Sequence, residues 1–338
     1  MSVSHEVRRI GDLSRSQLEN LVAAATAAPS MHNTQPWRFR ITGSFIEIQI
    51  DPQRALPAED PQGWTQRLAC GAALFNLRMA LMSAGFAPKV NMGLAGQSGA
   101  AVAQVALGDK HICPPWAQEL ADAITKRHTV REPFVEALVP ADVQAKLQNA
   151  AHEEGADLRL FDDSASLTEI GRLIHAAHFW HVSDDASAQE LRAWTGKSAD
   201  DREGVPSVAA GPDARPSELL DFRDFSRGEG RSMPLSKGYE SRPLIGILSV
   251  PSTRNVDDVY AGQAMQRVLL AATAHGLVAS FLSEIVEVPE TAARLAERFL
   301  SGHHPVPRMV LRMGYGTAAG HAKRRDVSSV IIDERVAP

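Results

Sequence analysis

The chain has 338 residues, which at roughly 150 residues per domain is too long for a single small module. Its 35 Lys and Arg against 40 Asp and Glu give a net charge of −5, so we expect no nucleic acid as its main partner. Only two cysteines occur, Cys70 and Cys113, which argues against a disulfide framework and a thiolate zinc site. The N-terminal residues contain no apolar run of signal-peptide length, and no later segment approaches the ~20 apolar residues that cross a bilayer, so we expect a cytoplasmic protein without a membrane segment.

The first part of the chain predicts a helix, a loop and a strand hairpin in succession. Residues 13–28 carry apolar side chains at helical spacing behind Ser14, a favourable N-cap residue. A polar loop follows from Pro29, and alternating apolar residues within 37–51 then predict two strands that turn about Gly43 and Ser44. A second helix is predicted over 71–84 and a further strand over 99–109.

Two segments of the second part of the chain repeat segments of the first. Residues 139–151 align with residues 13–25 at an offset of 126 positions, and a strand is predicted to follow at 157–161. Residues 261–277 align with residues 70–86 at an offset of 191 positions, which places Gly262 on Gly71. We therefore expect two related halves, residues 1–122 and 123–338, each with a mainly antiparallel sheet covered by helices.

The two offsets differ, so the second half carries a long insertion. Its polar part, about 184–242, is interrupted by Gly and Pro and is typical of a long excursion over a surface. The strand predicted near 244–250 then returns the chain to the core. We expect the insertion to act as a lid.

Three motifs carry a resemblance to a known family. Residues 29–37, PSMHNTQPW, resemble the APSxxNxQPW signature of the flavin-dependent nitroreductases. KRHTVREPF at 126–134 resembles the family's phosphate-binding element, and the strand at 305–316 followed by KRR at 323–325 resembles its closing strand and basic pair. Because the loop motif precedes the phosphate element, and because of the segments at 194–206 and 280–295, the chain is similar to the Acg-type branch, in which one chain holds two degenerate nitroreductase halves.

The resemblance implies an α+β, nitroreductase-like fold in which the two halves form an intramolecular pseudo-dimer. The first half keeps the PSMHN loop but has Asp12 near the position where an arginine is wanted, whereas the second half keeps the arginines and lacks the loop. One FMN site built between the halves is therefore expected in place of two. Since one chain then supplies both sides of the interface, we expect a monomer.

The residues expected to hold FMN follow from the matched motifs. Arg127 and Arg131 would lie on one face if this segment were helical and could converge on the phosphate, with the basic tail on the other side. Ser30 and Asn33 offer a hydroxyl and an amide to the ribityl chain or the ring edge. The resemblance places the segment 281–284 along the flavin, with a backbone amide near N5. The full expected set is Pro29, Ser30, Met31, Asn33, Arg127, Thr129, Arg131, Leu282, Ser283, Glu284, Arg324 and Arg325.

Three other patterns are weaker. His175, His178 and His181, with Asp184 and Asp185 after them, have helical spacing and could form a metal face, but no matching ligand group is visible elsewhere. The glycines of 314–320 depart from the dinucleotide-binding spacing, and GKS at 196–198 lacks the upstream glycine of a phosphate-binding loop. No metal site, Rossmann site or nucleoside triphosphate site is therefore predicted.

Two functions remain open from the sequence. The first is an FMN-dependent oxidoreductase that uses NAD(P)H to reduce a small electron acceptor, such as a nitroaromatic or a quinone, with no catalytic side chain strictly required. The second is an FMN storage or sequestration protein in which the insertion closes over the flavin and turnover is small or absent.

Overall fold

The computed structural model describes residues 9–92, 101–212, 223, 225, 239–300, 304–317 and 322–334. Within these residues the chain is a mixture of helices and two separate sheets, as an α+β fold requires. None of the helices in the described ranges is long and apolar enough to cross a membrane.

The first half of the chain follows the predicted order closely. Helix α1 begins after Ser14, whose hydroxyl oxygen accepts a hydrogen bond from the Gln17 N–H, so the predicted N-cap is confirmed. The hairpin is also confirmed, with Ile41 opposite Ile46 at its turn. The second helix begins at Trp64, earlier than the predicted start at Gly71. The elements are α1 (Arg15–Thr26), β1 (Trp37–Ile41), β2 (Ile46–Ile50), α2 (Trp64–Ser83), β3 (Phe86–Asn91), β4 (Ala101–Lys110) and α3 (Pro115–Ala123).

The second half begins, like the first, with a helix followed by a strand, and two further helices then precede its next strand. The strand predicted at 157–161 is confirmed with those bounds. The elements are α4 (Ala141–His152), β5 (Asp157–Phe161), α5 (Ser164–Ser183), α6 (Asp185–Trp194), β6 (Leu244–Val250), α7 (Asn255–Ala274), β7 (Val278–Phe281), α8 (Glu284–Glu287), α9 (Pro289–Phe299), β8 (Val306–Gly314), α10 (Val327–Val330) and β9 (Ile331–Asp333).

The two sheets repeat one strand order. The first sheet runs β3-β4-β2-β1-β9, and the second, read from its far edge, runs β7-β8-β6-β5. Each of these neighbouring strand pairs is antiparallel apart from β1 and β9, which are parallel with Phe39 opposite Ile331. The last strand of the second half therefore completes the sheet of the first half.

The helices of the first half have equivalents in the second half at the predicted offsets. Helices α1 and α4 begin and end 126 positions apart. Helices α2 and α7 cross where Gly71 meets Gly262, and a Cβ atom on either glycine would lie 2.3 Å from Val259 O or 2.0 Å from Leu68 O, respectively. Leu68 and Val259 have the same offset as the two glycines, so the contact is nearly symmetric. Only glycine permits this backbone approach.

Candidate functional site

A strained loop between α1 and β1 forms one wall of the site. His32, Asn33 and Gln35 adopt positive φ angles of 47°, 56° and 52°, a region that non-glycine residues rarely occupy. Ser30 Oγ accepts a hydrogen bond of 2.9 Å from the Gln35 N–H and so closes the loop on itself. Strained backbone of this kind persists only where the surrounding contacts fix it, and it is common at functional sites.

The loop is tied to two distant parts of the chain. Asn33 Nδ2 donates hydrogen bonds of 3.0 Å to the carbonyls of Gly204, in the insertion, and of Lys323, in the C-terminal segment. Gln35 Nε2 donates to Arg202 O at 2.7 Å, and Gln35 Oε1 accepts from the Arg325 N–H at 2.8 Å. The loop motif, the insertion and the basic tail therefore meet at one place.

A cleft runs between this loop and elements of the second half. Its basic end and its apolar end are both lined by Pro29, Ser30, Arg131 and Phe281. The basic end is otherwise lined by Asn33, Arg127, His128, Thr129, Val205, Ala209, Ala322 and Arg324. The apolar end is otherwise lined by Met31, His32, Trp64, Thr65, Leu68, Ala69, Arg223, Phe225, Met265, Ser283, Glu287 and Met309.

Two arginines dominate the basic end. Arg127 is 6% exposed, and burial and the positive charge of Arg324 lower its pKa. Burial also lowers the pKa of Arg324, whose guanidinium donates to Thr26 O at 3.0 Å and to Ala28 O at 3.1 Å, at the end of α1. Within the described residues, neither guanidinium forms an ion pair with a carboxylate. The two positive charges are therefore available to an anion.

Buried polar atoms at this end also have no partner within the described part of the chain. They are Arg127 Nε, a donor, and Asn33 Oδ1, an acceptor. Since buried polar groups are nearly always hydrogen-bonded in folded proteins, both atoms indicate a polar ligand. A phosphate next to a hydroxylated chain supplies both kinds of partner.

Arg131 lies where the two ends of the cleft meet. Its guanidinium donates to Ala209 O at 2.7 Å and stacks over the Phe225 ring, 4.2 Å from the ring centroid. Burial and the charge of Arg223 lower its pKa. The segment 127–131 is not helical, and Thr129 instead forms a parallel bridge with Ala279. The helical spacing that would put Arg127 and Arg131 on one face is therefore absent, although both side chains line the cleft.

A buried charged cluster borders the apolar end, and the sequence reasoning missed it. Arg223 lies 3.1 Å from a Glu59 carboxylate oxygen, 2.7 Å from one of Glu284 and 2.5 Å from one of Glu287. Each carboxylate also has a histidine neighbour, and the pairs are His32 with Glu59, His178 with Glu284, and His181 with Glu287.

The charges in this cluster stabilise one another. Burial alone would lower the pKa of Arg223, but the charges of Glu287, Glu284 and Glu59 outweigh burial and raise it. Burial likewise opposes ionisation of Glu284 and Glu287, yet Arg223 and the histidines hold both carboxyl pKa values below their usual range.

Two histidines of the helical pattern at 175–181, His178 and His181, belong to this cluster. Ligand atoms of Glu59, His181 and Glu287 lie within 4.8 Å of one another. The Arg223 guanidinium already bridges Glu59 and Glu287 and supplies their positive charge. Asp184 instead caps α6, since its Oδ1 accepts from the Ser187 N–H at 2.7 Å.

The remaining predicted residues divide between the cleft and its surroundings. Ser283 lines the apolar end, whereas Leu282 and Glu284 line an adjoining pocket of about 480 Å³ behind it. Arg325 lines neither end and lies 3.5 Å from Glu203 and 3.8 Å from Asp51. A role of Arg325 in FMN binding stays a prediction, and residues 318–320 of the glycine motif lie outside the described residues.

Comparisons with known proteins decide the family. No family model matches the chain. The Mycobacterium tuberculosis protein Rv3131, which carries the name of an NAD(P)H nitroreductase, is 31% identical over 321 residues, covering 93% of this chain and 90% of its own. The chain belongs to the nitroreductase family. The protein named acg from the same organism is 27% identical over 307 residues, 88% of each chain, which agrees with the Acg-type resemblance.

Solved structures of more distant nitroreductases are also similar to parts of the chain. The FMN-dependent nitroreductase NfnB from Mycobacterium smegmatis, solved with NADPH, is 18% identical, with a TM-score of 0.40, covering 63% of this chain and 96% of its own. A Bacteroides fragilis nitroreductase with bound FMN is also 18% identical, with a TM-score of 0.37, covering 62% and 94%.

Proposed function

We propose that this nitroreductase-family chain binds FMN in the cleft and reduces small electron acceptors, nitroaromatics or quinones, with NAD(P)H. The observation that carries the proposal is the pair of arginines, Arg127 and Arg324, which lack a carboxylate partner within the described residues at the basic end of a cleft whose other end is apolar. FMN has the matching polarity, with a phosphate at one end and a flat ring at the other. The relatives named as NAD(P)H nitroreductases support the same activity.

The residues present fit the cofactor. Arg127 and Arg324 would hold the phosphate, and the unpartnered Asn33 Oδ1 would accept a hydrogen bond from a ribityl hydroxyl. Pro29, Ser30, Met31, Thr129, Arg131, Leu282, Ser283 and Glu284 line the cleft or its adjoining pocket and would flank the rest of the molecule. When bound, FMN supplies the hydride chemistry, while the chain binds it, orients it and excludes water.

We also propose that one chain holds one site and acts as a monomer. The cleft uses the loop and α2 of residues 1–122 and the arginines of residues 123–338. At the offset of 126, Glu154 takes the place of Ala28, and its carboxylate lies 2.5 Å from Arg78 and 2.9 Å from Arg267. The arginines beside this position are thus already paired with a carboxylate of the chain. Light scattering during gel filtration checks the monomer.

One observation favours storage of FMN as a second candidate function. Arg223 and Phe225, both from the insertion, line the apolar end of the cleft, and Arg223 is buried among three carboxylates. An insertion held in this way would act as a lid and exclude a nicotinamide from the apolar end. Turnover would then require the contact to break.

An absorption spectrum of the protein supplied with FMN tests both candidates. Under anaerobic conditions, NADH and NADPH are added in turn, followed by menadione. Bleaching by a nucleotide and recovery with menadione are the expected results for the oxidoreductase. Bound flavin that bleaches only with dithionite would support storage instead, and failure to bind FMN would contradict both.

A variant of Arg223 tests whether slow reduction of the flavin by NADPH is caused by a closed lid or by an unreactive site. Arg223→Met removes the central cation of the cluster and is expected to release the insertion. If the lid limits turnover, this variant is bleached by NADPH faster than the wild type. Limited proteolysis within the insertion should accelerate in the same variant, which reports the release independently of activity.

A further inference from the structure

We propose that His32 donates the proton that acceptor reduction requires, and that Glu59 positions its imidazole. The proposal rests on the proposed function and adds a catalytic side chain to it. It concerns the apolar end of the cleft, where His32 is part of the lining and an acceptor would react.

The contacts of His32 leave one ring nitrogen for a substrate. Its side chain is 2% exposed, and Nε2 is hydrogen-bonded to Glu59 Oε2, whose side chain is 1% exposed. Nε2 also lies 3.4 Å from an Arg223 guanidinium nitrogen. Nδ1 forms no hydrogen bond with the residues that the structure describes. Nδ1 is therefore the atom that can meet a ligand in the cleft.

The backbone and a neighbouring ring fix the orientation of this imidazole. The φ angle of His32 is 47°, in the loop closed by the bond between Ser30 and Gln35. The ring meets Phe225 edge-on, with 6.0 Å between the centroids and 61° between the planes. A reactive group held by backbone strain and by a buried carboxylate needs little reorganisation when a substrate arrives.

The arrangement matches the chemistry of a histidine and carboxylate pair. Because Glu59 accepts the Nε2 proton, a proton on Nδ1 belongs to the imidazolium form. A quinone plus NAD(P)H plus H⁺ gives a hydroquinone plus NAD(P)⁺, and a nitroaromatic plus NAD(P)H plus H⁺ gives a nitroso compound, water and NAD(P)⁺. In each reaction the Nδ1–H bond breaks, an O–H bond forms on the acceptor, and solvent returns the proton to His32.

Several charged groups face the pair of His32 and Glu59. Glu59 faces His32 directly, Arg223 approaches from the insertion, and Glu287 approaches from α8 through Arg223. From α6, the Glu190 carboxylate accepts the Glu59 N–H at 2.8 Å. His181 on α5 lies behind Glu287.

The test compares reoxidation of the flavin by an acceptor that takes up protons with reoxidation by one that does not. In FMN-loaded protein reduced with NADPH, reoxidation by menadione should be slowed by about 100-fold in His32→Asn, the order expected for loss of a general acid. Reoxidation by ferricyanide, which needs no proton, should stay within threefold. Asparagine tolerates the positive φ angle of this position.

Glu59→Gln provides the second variant. Glutamine keeps the size of the side chain without the negative charge that orients the imidazole, so reoxidation by menadione should slow while reoxidation by ferricyanide stays within threefold of the wild type. His275→Asn is the matched control. His275 follows the end of α7, its Nδ1 lies 2.9 Å from Ala271 O, and it does not line the apolar end of the cleft. It should behave as the wild type with both acceptors.

Binding of benzoate supplies a readout without turnover. Benzoate has the shape of nitrobenzene with a full negative charge on its oxygens, and its binding to the oxidised, FMN-loaded protein perturbs the flavin spectrum. Loss of one charged hydrogen bond in His32→Asn should weaken binding about tenfold.

The possible failures are distinguishable. Wild-type protein that does not bind FMN contradicts the proposed function and the role of His32 together. Flavin that is reduced by NADPH but reoxidised by menadione at the same rate in wild type and His32→Asn overturns the role of His32 alone. Equal slowing with menadione and ferricyanide also overturns it, since a structural defect would have that effect.

Discussion

The two ends of the cleft place buried arginines in opposite environments. Arg127 at the basic end is 6% exposed and Arg223 at the apolar end is 8% exposed, so burial is nearly the same. Arg223 is surrounded by Glu59, Glu284 and Glu287, and its pKa is raised. Arg127 has another arginine as its charged neighbour, and its pKa is lowered.

The difference indicates which end awaits a ligand. A buried cation without an anion is costly, and folded proteins retain one where a bound anion compensates the charge. The basic end is therefore built for an anion from outside the chain, whereas the apolar end has its counter-charges within the chain. Binding affinity should depend on Arg127, and stability should depend on Arg223.

The largest expected effect is on FMN affinity at the basic end. Arg127→Met should weaken FMN binding by about 100-fold, the order expected when a charged hydrogen bond to phosphate is lost. Without FMN, the same variant should unfold at an equal or higher temperature, because it removes an uncompensated buried charge. Fluorescence titration and circular dichroism measure the two quantities.

The control for this prediction is Arg15→Met on α1, where Arg15 pairs at the surface with Glu19. It should leave FMN affinity unchanged. An Arg127→Met variant with wild-type affinity would contradict the assignment of the basic end to the phosphate.

Arg223 should show the reverse behaviour. Arg223→Met leaves three buried carboxylates without their central cation, so the free energy of unfolding should fall by about 3 kcal/mol. Urea denaturation without FMN measures it. Arg172→Met removes an exposed pair with Glu169 on α5 and should change stability by less than about 1 kcal/mol. Equal effects of the two variants would show that the cluster does not stabilise the fold.

The pH dependence of stability sharpens the same comparison. The folded-state pKa values of Glu284 and Glu287 lie below the usual range, so their contribution is fully present above the unfolded carboxyl pKa of about 4.3. It is lost as pH falls through the folded-state values. The stability difference between wild type and Arg223→Met should therefore shrink as pH falls below about 4.3. Urea midpoints across this range measure it, and a gap that widens in acid would contradict the sign.

Much of the fold was predictable because the relevant signals are local or repeated. Ser14 caps a helix whose apolar spacing is visible, the hairpin has alternating residues around a turn, and the 191-position offset already pairs Gly71 with Gly262. The loop from Pro29 and Arg127 were predicted as parts of the site because they lie in recognisable sequence motifs. Each of these features can be recognised within a short window or by comparing two windows.

The charged cluster could not be predicted in this way. Arg223 meets Glu59 and Glu284 only after the insertion folds back, and nothing in the local sequence of any of the three indicates the contact. His178 and His181 gave the one visible signal, a helical spacing, but their carboxylate partners lie on a short helix that periodicity does not reveal. The contact of Arg325 with Glu203, outside the lining of the cleft, is likewise not visible from its place in a basic run.

The smallest expected effect concerns Ser30, which lines both ends of the cleft. Its Oγ accepts the Gln35 N–H, so its own proton remains available to donate to a ligand. Ser30→Ala should weaken FMN binding about fivefold and lower the free energy of unfolding by about 1 kcal/mol, as loss of a neutral hydrogen bond does. Ser44→Ala, in the exposed hairpin turn, is the control. If Ser30→Ala weakened FMN binding as much as Arg127→Met, the strained loop itself, rather than the charge at the basic end, would carry the affinity, because a single neutral hydroxyl cannot account for a loss of that size.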